Sequence, residues 1–135
     1  MKPNRFVWTF TVSRESIDVN DHVNNVAYVR WMQEVAIRHT RSVGADVLSA
    51  AAGLTWVVRS HAIEYRMPAV EHDEIQVSTW VDSVERVSSV RRYEFHRTKD
   101  QVLLASGQTQ WVCLNRETGR PVAIPDRLMK RYFES

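Results

Sequence analysis

The chain has 135 residues, of which 44% are hydrophobic and 25% are charged, and its formal net charge is +2. This length fits one domain with its own core, and the composition excludes the disordered and membrane-spanning classes. No apolar stretch approaches the roughly 20 residues that span a bilayer, and the N-terminus lacks the apolar region of a secretory signal. We therefore expect a soluble domain without a membrane partner.

The charge pattern and the single cysteine predict the partners and the compartment. Basic residues are spread along the chain, with short clusters only at 91–92 and 130–131, and no nucleic-acid recognition motif accompanies them. We expect no nucleic-acid partner. Cys113 cannot form an internal disulfide and lies in a strand-like run, which suits a buried thiol in a reducing compartment. The sequence thus predicts a cytoplasmic protein.

The first part of the chain predicts one strand followed by one long helix. Residues 5–13 alternate in the strand period and are rich in β-favouring types. From Asn24 onward, apolar residues recur every three or four positions, and Gly44 is suited to end the helix. About 20 residues make a helix of roughly 30 Å. The predicted apolar stripe consists of Val26, Val29, Met32, Val35, Ala36 and Val43, widened by Tyr28 and Trp31.

The rest of the chain predicts a sheet. Strand patterns cover residues 54–67, 74–85, 88–98 and 101–114, with a hairpin turn at Lys99 and Asp100. Residues 125–133 predict a short closing helix. The architecture that follows is α+β, with one long helix against an antiparallel sheet of about five strands.

The last predicted strand has apolar residues on both of its faces. Leu103, Ala105, Trp111 and Cys113 are expected on one face, and Val102, Leu104, Val112 and Leu114 on the other. One helix cannot cover both faces of a sheet, and an uncovered apolar face is usually an interface. We therefore expect a homodimer or a homotetramer.

Polar residues with catalytic potential are concentrated at the start of the long helix. Asp18 and His22 precede it, and Asn24 and Asn25 begin it. A helix start offers unpaired N–H groups and the positive end of the macrodipole, which can polarise a substrate carbonyl. A carboxylate beside them can attack that carbonyl or activate water. Asn24 and Asn25 also suit simple capping of the helix.

This arrangement resembles a known family. The pattern Asp-x-x-x-His-x-Asn-Asn-x-x-Tyr before and within a long helix, followed by Tyr-x-x-Pro-Ala, is similar to that of the hotdog-fold acyl-CoA thioesterases. The closest likeness is to the 4-hydroxybenzoyl-CoA thioesterase branch and its long-chain acyl-CoA thioesterases. The matching residues are Asp18, His22, Asn24, Asn25, Tyr28, Tyr65, Pro68 and Ala69. One departure is Asp21, at a position where relatives often have Gly.

The resemblance implies a single hotdog domain over residues 1–135, with the sheet wrapped around the helix. It further implies subunits paired edge to edge and active sites between them. Asp18 falls at the position of the catalytic aspartate, acting as nucleophile or as general base, and the helix-start N–H groups near Asn24 and Asn25 would hold the thioester oxygen. His22 would assist as an acid or orient the loop. Tyr28 would line the acyl pocket or serve as plain core.

The function expected from this likeness is hydrolysis of an acyl-CoA or acyl-carrier thioester, without metal or organic cofactor. The histidines are scattered and form no metal-ligand pattern. One alternative is a non-catalytic module that binds acyl-CoA or acyl carriers. A less favoured alternative is an enoyl-CoA hydratase, whose signature resembles Asp-x-Asn-x-x-His. The interval from Asp18 to His22 is one residue too short for that signature.

Overall fold

A five-stranded antiparallel sheet wraps around one long helix. The computed structural model describes residues 2–134, so the terminal residues of the predicted domain, Met1 and Ser135, lie outside the described part. The elements are β1 (Phe6–Thr11), α1 (Asn25–Ser42), α2 (Ala45–Ala51), β2 (Leu54–Tyr65), β3 (Glu74–Val84), β4 (Ser88–Arg97), β5 (Val102–Asn115) and α3 (Asp126–Met129), with 3₁₀ turns at Arg14–Ser16 and Lys130–Tyr132. The strand order β1-β3-β4-β5-β2 leaves β1 and β2 at the two edges.

Helix α1 forms where the sequence predicts it and buries one continuous stripe. Tyr28, Met32, Val35 and His39 lie on that stripe, three or four residues apart, and are all buried. The predicted stripe is wrong at Val26, which is 64% exposed. The other predicted positions of the stripe are buried or half-buried, and the buried face also includes a histidine that was not predicted there. No helix among residues 2–134 is long and apolar enough to cross a membrane.

Helix α2 was not predicted. It has only seven residues, which is too short for a helical period to be recognised in the sequence. Two glycines with left-handed backbone bracket it, Gly44 at φ +75° and Gly53 at φ +70°. Gly44 ends α1, as predicted, and also begins the new helix.

A β-bulge in β5 changes which of its residues face the core. The register between β4 and β5 shifts between Phe95 and His96, and both Leu104 and Ala105 are fully buried in the same apolar cluster. The prediction that these two residues face opposite sides is therefore wrong, because the bulge interrupts the alternation. Opposite the core, the middle of β5 carries the polar residues Ser106, Gln108 and Gln110. The predicted apolar outer face of β5 is thus interrupted at its centre.

The core consists of two apolar clusters with a polar layer between them. Strand β3 shows this order along its inward face, where Ile75 and Val77 belong to the first cluster and Val81 to the second. Thr79 lies between them and is fully buried. The other buried polar residues of this layer are His39, Arg91 and Thr109.

Arg91 and His39 form the centre of the polar layer. Nη1 of Arg91 donates hydrogen bonds to Nδ1 of His39 (2.8 Å) and to Oγ1 of Thr79 (3.1 Å). The first bond requires an unprotonated Nδ1 on His39. Burial, and secondarily the charge of Arg91, lower the pKa of His39 to about 3. His39 is therefore neutral at ordinary pH.

We predict that His39 makes folding stability depend on pH between about 7 and 3. The unfolded chain protonates this histidine near its ordinary pKa of 6.5, whereas the folded chain does so only near 3. The unfolded state therefore binds more protons in this window, so stability falls as the pH falls. Each pKa unit corresponds to about 1.36 kcal/mol, so the loss attributable to His39 should be on the order of 4 kcal/mol. Denaturant titrations at several pH values measure it.

The matched control is His39→Gln, whose side-chain oxygen can still accept a hydrogen bond from Arg91 but does not titrate. This variant should lose most of the pH dependence in that window. A slope as steep as that of the unmodified chain would contradict the assignment.

Candidate active site

The residues before α1 form a closed loop, which we call the entrance loop (residues 17–23). Ile17 and Val23 form an antiparallel bridge at its base. Within the loop, the N–H of Asp18 donates to the carbonyl of His22 at 2.8 Å, and the N–H of Asp21 donates to the carbonyl of Asp18 at 3.1 Å. The loop is therefore ordered by its own backbone.

The side chain of Asp18 is part of this order. Its Oδ1 accepts the N–H of Asn20 at 2.9 Å and that of His22 at 3.4 Å. Such bonds hold a carboxylate in one orientation. No residue of the described chain donates a hydrogen bond to Oδ2. Asp18 is half-buried, whereas His22 is exposed, and the bonds that join the two use only the backbone of His22.

Asp21 has left-handed backbone, with φ +61°. Glycine adopts this conformation freely, and Asp and Asn are the side-chain-bearing residues that tolerate it best. A glycine at position 21 would therefore adopt this backbone without strain, and Asp21 is among the residues that tolerate it. The exposed carboxylate of Asp21 does not cap α1, because that position belongs to Asn24.

Three hydrogen bonds fix the entrance loop and the start of α1 against the rest of the molecule. The N–H of Val23 donates to the carbonyl of Ala69 at 2.8 Å, and the N–H of Asn24 donates to the carbonyl of Ser16 at 2.8 Å. The hydroxyl of Tyr65 donates to the carbonyl of Asn25 at 3.3 Å. The structure thus brings the Tyr-x-x-Pro-Ala segment against the loop that carries Asp18, although about 40 residues separate them in sequence.

The first turn of α1 leaves one amide open. The side chain of Asn24 accepts the N–H of Val26 at 2.8 Å, and its carbonyl accepts the N–H of Ala27 at 2.9 Å. The N–H of Asn24 itself is bonded to Ser16. The N–H of Asn25 has no acceptor among residues 2–134. A carbonyl oxygen that approaches the positive end of α1 can therefore bind at Asn25.

Tyr28 lies one turn further along α1, inside the core. Its ring packs edge-on against the rings of Trp31, Tyr65 and Phe95, with centroids 5.0, 5.3 and 5.2 Å away. Burial, followed by the influence of Tyr65 and Asp73, raises the pKa of Tyr28 to about 12. Its hydroxyl therefore stays protonated and adds no charge to the site.

A second feature, which the sequence does not predict, lies along the other half of α1. A cavity of about 350 Å³ there is lined by Arg91, and we call it the Arg91 cavity. In the sequence, Arg91 and Arg92 form one basic cluster, but the strand alternation separates them. Arg91 is 4% exposed and faces the core, whereas Arg92 is exposed and bonds to Asp82 and Gln108.

Among residues 2–134, no group of three or more His, Cys, Asp or Glu side chains could hold a metal ion. Together, the entrance loop and the start of α1 place one fixed carboxylate, that of Asp18, on the same short segment as one open amide, that of Asn25.

Comparison with known proteins identifies the family. The acyl-ACP thioesterase N-terminal domain matches residues 3–132 of the chain. The chain belongs to this family. It is therefore a thioester hydrolase with the hotdog fold, and both predictions are confirmed.

Individual relatives agree with this assignment. The chain is 22% identical over 115 residues to the long-chain acyl-CoA thioesterase FadM of Escherichia coli K12, a match that covers 85% of the chain and 87% of FadM. It is 26% identical over 131 residues to the chloroplastic palmitoyl-acyl carrier protein thioesterase of Gossypium hirsutum, covering 91% of the chain but only 32% of that protein. The crystal structure of YbaW, a probable thioesterase from Escherichia coli, superposes with a TM-score of 0.88 at 19% identity, covering 95% of the chain and 98% of YbaW.

We predict that the cap of α1 depends on Asn24 and not on its neighbour. Asn24→Ala removes the acceptor for the N–H of Val26 and should cost about 1 kcal/mol of the free energy of unfolding. Asn25→Ala is the matched control, because no hydrogen bond of the described chain uses that side chain, and should cost less than about 0.5 kcal/mol. Equal losses in denaturant unfolding would contradict the assignment of the cap.

Proposed function

We propose that this protein hydrolyses acyl-CoA thioesters, with Asp18 as the catalytic carboxylate. The observation that carries the proposal is the placement of two groups on one short segment. The Asp18 carboxylate is fixed through Oδ1, and the N–H of Asn25 is open at the start of α1. A thioester carbonyl needs one electrophile-binding donor and one nucleophile or base, and these two groups supply both.

In the proposed reaction, the N–H of Asn25 and the positive end of α1 bind the carbonyl oxygen as negative charge develops on it. Oδ2 of Asp18 then follows one of two routes. It attacks the carbonyl carbon, expels the thiolate and forms an anhydride that water hydrolyses, or it takes a proton from a water that attacks instead. Both routes end in a free acid and a free thiol. One oxyanion donor is typically worth about 3–4 kcal/mol of the barrier.

The remaining predicted site residues have supporting roles in this proposal. Asn24 binds substrate indirectly, because its capping of Val26 and its bond to Ser16 set the position of the Asn25 amide. The buried ring of Tyr28 packs against that of Tyr65, whose hydroxyl donates to the carbonyl of Asn25, so Tyr28 supports the Asn25 amide from within the core. The imidazole of His22 is exposed and makes no hydrogen bond within the described chain, so its proposed role is to protonate the departing thiolate and not to orient the loop.

Coenzyme A is the proposed carrier of the acyl group. FadM, the relative that the chain matches over most of both lengths, is named for acyl-CoA, whereas the plant carrier-protein relative is matched over about a third of its length. We also propose that each chain forms a single hotdog domain and that the protein acts in the cytoplasm. The free thiol of Cys113, buried in the core, supports a reducing compartment.

We further propose that a second copy of the chain completes the site. Strand β2 is 12 residues long and lies at the sheet edge, so one side of it offers backbone groups for pairing. Apolar side chains around the entrance loop are also exposed without a partner in one chain: Val19 (98%), Val26 (64%), Met67 (48%) and Tyr65 (43%). A homodimer formed through this edge would cover them, and two such dimers would make a tetramer.

We predict that Asp18→Asn abolishes hydrolysis without unfolding the loop. Asn keeps the side-chain oxygen that accepts the N–H groups of Asn20 and His22 but cannot attack or take a proton. The rate of thiol release from an acyl-CoA panel should fall by at least about a hundredfold, the usual contribution of a catalytic base.

Asp21→Asn is the matched control for this experiment. It makes the same chemical change three residues away, on an exposed side chain whose left-handed backbone Asn tolerates. Its rate should stay within about twofold of the unmodified chain. Equal activity in the Asp18 and Asp21 variants would remove Asp18 from the mechanism, and binding of acyl-CoA without thiol release by the unmodified chain would indicate a binding module.

We predict that the protein in solution has at least twice the 15.7 kDa mass of one chain. Light scattering coupled to size exclusion measures this mass, and activity per chain should fall on dilution as subunits separate. Asp18→Asn should have the same mass, because it leaves β2 unchanged. A fully active monomer at micromolar concentration would disprove the proposed shared site.

A further inference from the structure

The Arg91 cavity contains a buried positive charge without a negative partner. Arg91 is 4% exposed, and no carboxylate of residues 2–134 lies within 4.0 Å of its nitrogens. Its hydrogen-bond partners, His39 and Thr79, are neutral, and the ring of Tyr132 lies 5.4 Å from its Cζ. A buried charge without a counterion is costly, so an anion that reached it would be bound favourably.

The guanidinium also keeps donors for a ligand. The hydrogen bonds to His39 and Thr79 both start from Nη1, and the hydroxyl of Tyr132 is a further neutral acceptor beside the guanidinium. An arginine has more N–H donors than these three acceptors use, so donors remain for a ligand. Arg91 lines the cavity directly. The planar fork of an arginine matches the two oxygens of a carboxylate.

The walls of the cavity suit an apolar body attached to that anion. Trp56, Trp111 and Met129 contribute apolar surface, and the volume of about 350 Å³ lies within the range of small-molecule sites. The exposed residues Ile37, Arg41 and Asp46 lie at the opening. The charges of Arg41 and Asp46 offset each other at the opening, so Arg91 is the uncompensated charge inside the cavity. A single positive charge favours a ligand with a single negative charge.

The Arg91 cavity is separate from the thioester-binding end of α1. Ala36 is the first residue of α1 that lines it, eleven residues after Asn25. At 1.5 Å per residue, this separation is about 16 Å along the helix axis. A group bound at Arg91 is therefore not the carbonyl that the Asn25 amide would hold.

We propose that the Arg91 cavity is a binding site for a carboxylate attached to an apolar chain. Two sources of that carboxylate have the same chemistry. One is a free acid of the class that thioester hydrolysis releases. The other is the far end of an acyl group that carries a terminal carboxyl, and this second source rests on the proposed function.

The first arm of the test measures binding of free decanoate, with decanol as the neutral probe. Tryptophans line the cavity, so their fluorescence and a decanoate-dependent rise in melting temperature report on it. Asp18→Asn is the host for this arm, so the result does not depend on turnover. Decanoate should bind saturably and at least about tenfold more tightly than decanol, because only decanoate can form an ion-paired hydrogen bond with Arg91.

Arg91→Met should remove that preference, because it fills similar volume without charge. Arg92→Met is the matched control, since the side chain of Arg92 is exposed and bonds to Asp82 and Gln108 outside the cavity. It should bind decanoate like its parent. If Arg91→Met fails to fold, the comparison of decanoate with decanol in the parent decides alone. Equal binding of the two probes, or no saturable binding of decanoate, would overturn the proposal.

The second arm distinguishes the two sources. Decanoyl-CoA and its analogue with a terminal carboxyl are compared in the unmodified enzyme and in Arg91→Met. If the carboxyl belongs to the substrate, kcat/KM for the analogue alone should fall at least about tenfold in the variant. If it belongs to a free acid, both substrates should respond equally while decanoate still binds. Failure of the proposed hydrolysis would abolish this arm only and leave the binding measurement intact.

Discussion

The site depends on how the backbone at the start of α1 satisfies its hydrogen bonds. The first N–H groups of a helix have no partners within the helix. Hydrogen bonds to other parts of the chain therefore determine which of these groups remain free to bind a ligand. Here Val23 is bonded to Ala69, Asn24 to Ser16, and Val26 to the side chain of Asn24, so the amide of Asn25 is the one left open. The same bonds fix the loop that orients Asp18. One set of backbone contacts therefore positions both the proposed electrophile-binding group and the proposed carboxylate.

The parts of the fold that were predictable are those whose signal is local. Strand β3 alternates from Glu74 to Val81, and Ile75, Val77, Thr79 and Val81 face one side, as the sequence indicates. The β5 bulge and the seven-residue helix α2 were not predictable in the same way. A bulge is determined by the register with a neighbouring strand, and a two-turn helix is determined by the surfaces on which it packs.

The same distinction between local and long-range contacts applies to the candidate site. The turn at Asp18 and the cap at Asn24 involve partners two to four residues away, so spacing alone points to them. The pair of Arg91 and His39 joins residues 52 positions apart, and in the sequence they look like a surface cation and a scattered histidine. Only the packing of α1 on β4 turns them into a buried pair. The docking of Ala69 against the entrance loop is a third contact that only the tertiary structure reveals.

The left-handed backbone at Asp21 makes the entrance loop sensitive to substitution at this position. The amide of Asp21 bonds to the carbonyl of Asp18, so the conformation at one residue is tied to the orientation of the other. A β-branched residue such as Ile or Val cannot adopt this backbone without strain, and the entrance loop would have to open to accept it. Few residues should therefore be tolerated at position 21. A substitution there can abolish activity although it removes no group that reacts with the substrate.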